Sequence, residues 1–282
     1  MTRLALLLDM DGVLYRGRHV LPGVPEALAL LEAAGHELCF ATNNGWSSTE
    51  EISDRLLHMG ISVRPERMVT AAWATAELLQ TRWPEVRRPF VLGSAEVARQ
   101  LRERGMQPVA EEEHPAADSL VVGLDLELSY RKLARAQAVG LRGVPFVATD
   151  LDGAYPWEES WLPGSGSIVA AVERATARSA VPAGKPEPFM YRALLRDLPG
   201  DLLPVVIGDN LGTDIRAGRA AGYLTILVLS GIATAEDAAH AVPEERPDYV
   251  VADLREAAAV VIPRLSTAAP PPPIRRSAPA PM

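Results

Sequence analysis

Two carboxylates one residue apart, Asp9 and Asp11, stand directly behind the apolar run Leu4-Ala5-Leu6-Leu7-Leu8. One carboxylate can attack an electrophile while its neighbour trades a proton with the leaving group, the minimum equipment for chemistry through a covalent aspartyl intermediate. The run is too short for a helix core and reads as a buried parallel strand. Sheets of this class place their ligands outside the carboxyl ends of the strands, where Asp9 and Asp11 fall. Gly12 follows and lets the chain turn away sharply, leaving the site open.

Three later stretches carry complementary chemistry. Thr42-Asn43-Asn44-Gly45 ends a second apolar run with a hydroxyl and a turn whose N–H groups can converge on phosphate oxygens. Gly184-Lys185-Pro186 holds an ammonium in a rigid turn, suited to neutralising a transferring phosphoryl group. Asp209 follows the run Val205-Val206-Ile207-Gly208, and with Asp9 and Asp11 it would give a hard, all-oxygen site suited to Mg²⁺, while Asp214 reads on its own as an acid favoured at a helix N-terminus. Taken singly, each stretch is also an ordinary strand-to-helix turn. Their shared position at the ends of α/β elements is what points to one site. Gly164-Ser165-Gly166-Ser167 fails as a dinucleotide fingerprint, because Val169 stands where a third small residue is needed and no apolar strand leads into it. It reads as a flexible loop before a helix.

The elements that must position these groups alternate along most of the chain, the signature of a parallel α/β sheet. Strands are expected at 4–8, 37–41, 89–92, 120–123, 145–148, 204–207, 224–229 and 249–251. Helices are expected at 24–34, 48–59, 71–81, 95–104, 130–140, 167–176, 188–195, 213–221 and 253–265. Residues 87–178 carry their own alternation and read as an inserted second domain, with the chain returning to the first near Val181. The end from Ala268 is rich in Pro and Ala and is expected to be disordered.

With 282 residues, 48% of them hydrophobic and 23% charged, the chain has ample core for one large or two modest domains. A net charge of -8 argues against a nucleic-acid or anionic-membrane surface, though not against a small anionic substrate. One cysteine, Cys39, in an apolar stretch, excludes a disulfide framework and reads as a buried structural residue. The five histidines are scattered without metal-ligand spacing. The first apolar run is too short for a secretory signal and no run approaches membrane-spanning length, so the expected location is the cytoplasm.

The stretches 8–15, 41–45, 183–186 and 208–218, with the later run ending in Ser230-Gly231, together resemble the four-motif pattern of the haloacid-dehalogenase superfamily. The chain is most similar to its NagD-like class IIA phosphatases. That resemblance implies a Rossmann-like, doubly wound parallel core built from 1–82 and 181–265. It also implies an inserted α/β cap of the C2 type at 83–180, ahead of the tail 266–282.

The resemblance further implies a role for each residue. Asp9 would be the nucleophile and Asp11 the general acid and base. Asp9, the Asp11 carbonyl and Asp209 would hold Mg²⁺, with Asp214 supporting them. Thr42, Asn43, Asn44 and Lys185 would hold the phosphoryl oxygens. Asp11 also speaks for the phosphatase branch, since a halide leaving group needs neither a general acid nor a metal. The implied reaction is hydrolysis of a small-molecule phosphate ester of the sugar, polyol or nucleotide kind. The alternatives are phosphotransfer to a sugar hydroxyl on the same core, or ligand binding without chemistry.

The cap would close over the site and meet the leaving group. Its candidate residues are Asp150, Asp152, Tyr155 and Trp157, and Asp150 stands where relatives commonly carry Asn. Two extra acids there would suit a neutral or cationic leaving group. The resemblance also implies pairing of two copies through the cap.

Overall fold

The computed structural model describes residues 2–157, 160–196 and 198–267, with backbone only between 155 and 161. The tail from 268 onward lies outside the described residues, while Ser266 and Thr267, expected to open it, close the last helix, Ile262–Thr267.

Leu4–Leu8 is buried at every position and lies in the middle of a six-stranded parallel sheet. Its neighbours are Leu203–Gly208 on one side and Glu37–Thr42 on the other. Leu224–Val228 and Tyr249–Val251 extend the first side, and Met68–Thr70 ends the second. The chain therefore leaves the central strand in one direction and returns to its other flank much later. The strand order reverses at Leu4–Leu8, and such reversals open a crevice at the carboxyl ends of the strands. Successive side chains of the strand serve opposite layers, as pleating demands. Leu4, Leu6 and Leu8 join a cluster with Leu28, Leu31, Ile52, Leu56 and Ile262, while Ala5 and Leu7 join another with Ala72, Leu79, Met190 and Tyr191.

The insert forms a four-stranded parallel sheet in the order Val181–Pro182, Phe146–Ala148, Ser119–Val122, Pro89–Leu92, followed by an antiparallel pair, Ala154–Trp157 with Ser160–Pro163. Val181–Pro182, expected to begin the return to the core, instead completes the insert's sheet. Leu120, Val122, Phe146 and Ala148 pack with Val139 and Val169 in the insert's own cluster. Val121 and Val147 point the other way, and with Val97 and Leu101 they merge into the cluster that also holds Leu7, Ala72 and Leu79. Core and cap are thus joined by continuous apolar packing as well as by two strands of chain.

No helix among the described residues is long and apolar enough to cross a membrane. Cys39 is fully buried, and burial pushes its thiol up to about 11, as befits an inert core residue.

Candidate active site

Asp9 continues the ladder of the central strand, its N–H donating to the Ile207 carbonyl at 2.9 Å. Thr42 ends the strand on one side and Asp209 follows the strand on the other, so three adjacent strand ends present a carboxylate, a hydroxyl and a second carboxylate. Asp214 reaches the same place through a wide first helical turn, Leu211–Ile215, in which the Ile215 N–H bonds back to the Asn210 carbonyl at 3.2 Å. Widened turns of this kind are frequent at functional sites. Asp214 Oδ2 accepts from the Asn210 N–H, and Tyr191 Oη donates to Asp214 Oδ1.

Lys185 enters between these acids. Its Nζ contacts Asp9 Oδ1, lies 2.7 Å from Asp214 Oδ1 and donates to the Ala41 carbonyl at 3.2 Å. The lysine is 3% exposed, Asp9 8%, Asp209 4% and Asp214 1%, so the cluster sits in a low-dielectric setting where each charge acts strongly. Burial would favour the neutral amine, but Asp214 and Asp9 outweigh it and hold the ammonium well above its ordinary value. Burial is also the main cause that raises Asp9, with Lys185 opposing it. Asp209 is pushed up to about 7 by burial and then by Asp214.

The ligand atoms of Asp9, Asp209 and Asp214 all lie within 4.8 Å of one another. Three carboxylates share the site with one ammonium. That surplus of negative oxygen donors fits a hard divalent cation, which would draw the raised acids back to their ionised forms. Asp209 is itself held firmly: Oδ2 accepts from the Ile232 N–H at 2.7 Å, and both Gly12 and Gly231 pack against its carboxylate so closely that a Cβ at either position would collide with it. Gly12 also has φ +79°, the left-handed turn that sends the chain away from the site.

Asp11 is partly buried, and burial raises its carboxyl against the opposing fields of Arg55 and Arg16. Raised in this way, it is suited to carry a proton to a leaving group. The hydroxyl oxygen of Thr42 accepts from the Asn44 N–H at 3.1 Å, which leaves its own proton free to donate. Asn44 also has a local structural use. Its Oδ1 takes the Trp46 and Ser47 N–H groups, so it shapes the turn before the helix Thr49–His58. Asn43 ties the turn to the lysine loop, accepting from the Lys185 N–H at 2.9 Å and donating to the Lys185 carbonyl at 3.0 Å.

The cap candidates separate. Asp152 Oδ2 accepts from Asn43 Nδ2 at 3.0 Å, placing it against the core turn. Asp150 is 2% exposed, with its carboxylate taken by the Thr149 hydroxyl and the Asp152 N–H. Both acids that suggested a neutral or cationic leaving group are thus engaged in protein contacts. The side chains of Tyr155 and Trp157 lie outside the described residues. Gly164 and Gly166, expected in a flexible loop, pack on the backbone of the 151–154 turn, and the Gly166 N–H donates to the Asp152 carbonyl at 2.9 Å.

Sequence reasoning missed the supporting contacts. Arg16 donates to the Ser230 and Gly231 carbonyls, Ser230 Oγ donates to the Gly12 carbonyl, and Arg55 donates to Tyr15 Oη. The only signal in the sequence was the Ser230-Gly231 ending of a strand, without a stated role.

A family model for haloacid dehalogenase-like hydrolases matches residues 6–107, and a second, for the HAD hydrolase-like fold, matches 182–257. The chain is 35% identical over 253 residues to a D-glycerol 3-phosphate phosphatase of Mycobacterium tuberculosis, covering 89% of this chain and 69% of that protein. It is 35% identical over 257 residues to an acid sugar phosphatase of Staphylococcus aureus, covering 90% and 96%. Among solved structures, a glycerol phosphate phosphatase from M. tuberculosis in complex with magnesium superposes with a TM-score of 0.84 at 33% identity, covering 90% of this chain and 75% of that one. The acid cluster at the strand ends and the relative's bound magnesium agree on Mg²⁺ as the cofactor. On these matches the chain belongs to the haloacid-dehalogenase superfamily and is a phosphatase of its NagD-like class IIA branch.

Proposed function

We propose that the protein hydrolyses a small phosphate monoester in two steps through Asp9. An Asp9 carboxylate oxygen bonds to phosphorus as the bond to the leaving oxygen breaks, and the Asp11 carboxyl gives that oxygen its proton. Asp11, now a carboxylate, takes a proton from water as the water oxygen bonds to phosphorus. The bond to Asp9 breaks, releasing inorganic phosphate and restoring both groups.

Asp9, the Asp11 carbonyl and Asp209 would hold the Mg²⁺, with Asp214 supporting them. Bound there, the ion supplies positive charge to the transferring group. The chain's own residues do the rest. Thr42 Oγ and the Asn43 N–H orient the phosphoryl oxygens. Lys185, whose donors rest on Asp9, Asp214 and Ala41, turns toward those oxygens as bonding to phosphorus removes charge from Asp9. The cap excludes bulk water by seating Ser94 on the Gly45 carbonyl and Asp152 on Asn43.

The observation that carries this reading is the meeting of Asp9, Lys185, Asp209 and Asp214 at the end of one central strand. The positive groups acting on Asp11 are Arg55 and Arg16. A small polyol or sugar phosphate, neutral or acidic in its leaving part, suits that field. The relatives named for glycerol phosphate and acid sugars support the same class. A Mg²⁺-dependent phosphate-release screen over polyol, sugar, nucleotide and cofactor phosphates, ranked by kcat/KM, tests it. A nucleotide ranking first by a wide margin would overturn the substrate class, and product formed on an added alcohol in preference to water would overturn hydrolysis.

A further inference from the structure

A single hydrogen-bonded path runs from the cap to the nucleophile. Asp150 Oδ1 accepts the Asp152 N–H at 3.1 Å, and Asp152 Oδ2 accepts from Asn43 Nδ2 at 3.0 Å. The same Nδ2 donates to the Lys185 carbonyl, while Asn43 Oδ1 accepts the Lys185 N–H. The Lys185 ammonium then meets Asp9 and Asp214. From this path we infer that Asp152 is a positioning residue: from the cap it fixes the Asn43 amide, and through Asn43 the backbone of the phosphoryl-holding Lys185, rather than touching the leaving group.

The turn that carries Asp152 is built to hold it still. The Gly166 N–H donates to the Asp152 carbonyl, Ser167 Oγ donates to the Gly153 carbonyl at 2.9 Å, and the Gly164 N–H donates to the same carbonyl at 3.0 Å. Gly164 and Gly166 approach the backbone of this turn more closely than any side chain would allow. Asn43 has two N–H protons to give, and one goes to each of its two acceptors. With Asp152 removed, one proton of a part-buried amide loses its partner, and the amide can rotate off the lysine backbone. Conversely, any motion that lifts the cap loosens Asn43 and, with it, the site that holds the phosphoryl group.

The inference rests on the role proposed for Lys185, so its test keeps the two apart. Wild-type protein, Asp9→Asn, Asp152→Ala and Asp152→Asn are assayed with Mg²⁺ and p-nitrophenyl phosphate, with inorganic phosphate as competitive inhibitor. Inorganic phosphate has no leaving group, so its Ki reads the phosphoryl site alone. In Asp152→Ala we expect kcat to fall and the Ki for phosphate to rise, each by about tenfold, the scale of a sub-ångström misplacement in an active site. Asp152→Asn, whose side-chain carbonyl still accepts from Asn43, recovers most of both. An unchanged Ki, with a loss that follows the identity of the leaving group across several esters, would make Asp152 a substrate contact and overturn the inference. Equal loss in both variants alongside an equal fall in Tm would reduce it to a folding role. If wild type turns over and Asp9→Asn does not, the reaction scheme stands whichever way the Asp152 variants fall.

Discussion

Lys185 and Asp214, separated by 29 positions in sequence, form a 2.7 Å ion pair in which both side chains are almost wholly withdrawn from water. A buried charge of this kind is held by its partners, and removing one partner is costly. Lys185→Met should therefore destabilise the metal-free protein by about 3–5 kcal/mol, because it leaves Asp9, Asp209 and Asp214 crowded without an ammonium. The loss should grow as pH rises above about 7, because Asp209, pushed up to about 7 with Lys185 opposing the rise, is pushed higher still without it, and Mg²⁺ should recover part of it. Urea unfolding at pH 6 and 8, with and without Mg²⁺, measures this. A variant as stable as wild type at pH 8 without metal would contradict the electrostatic account.

Asp9→Asn should leave the fold intact and lower kcat by at least about 10³-fold, as expected when a covalent nucleophile is lost. The amide is close in shape to the carboxylate and relieves a charge that burial disfavours, so Tm should not fall. Near-wild-type phosphate release by this variant would remove the covalent step.

Asp150 gives a pH signature that does not depend on catalysis. Burial raises its carboxyl from 3.8 to about 7, so between those values the folded chain holds a proton that the unfolded chain has released. The native state is therefore favoured at low pH and loses that advantage as pH rises toward about 7. Asp150→Asn carries no such charge. The Tm difference between variant and wild type should widen in the variant's favour from pH 4 to 7 and level off above, and a difference constant across that range would count against burial as the cause.

Gly231 packs on the Asp209 carboxylate where no methyl group fits. Gly231→Ala should push Asp209 aside and weaken Mg²⁺ binding by about 10–100-fold, the usual consequence of disturbing the support of a metal ligand. In wild type, Mg²⁺ at a hundred times its Kd should add about 2.7 kcal/mol of stability. Calorimetric titration with Mg²⁺ alone reads the affinities and urea unfolding with and without Mg²⁺ reads the added stability; equal affinities in the two proteins would show that Asp209 tolerates the shift.

Much of this was legible in the chain. Leu4–Leu8 and the run Leu38-Cys39-Phe40-Ala41 announce themselves because a strand buried on both faces is apolar, and the polar residues immediately behind them fall at strand ends. Met68–Thr70 escaped notice, since three residues carry no period and its place is set by pairing with Phe40–Thr42. Asp9, Asp209 and Lys185 were recognisable because charged groups beside buried strands need a reason. The contact of Asp152 with Asn43, 109 positions earlier, was not legible, because no local pattern reports a contact of that range. Asn44 illustrates the opposite, local case. Its amide closes its own turn, a local use that looks in sequence like a ligand-binding one.

Val97, Leu101, Val121 and Val147 from the insert share one apolar cluster with Leu7, Ala72 and Leu79 from beneath the catalytic strand. A chimera that exchanged this lid for another enzyme's would inherit a seam as well as a specificity. Unless the graft matched those four side chains in volume, it would expose grease along the helix Ala71–Arg82 and loosen the coupling between lid and core.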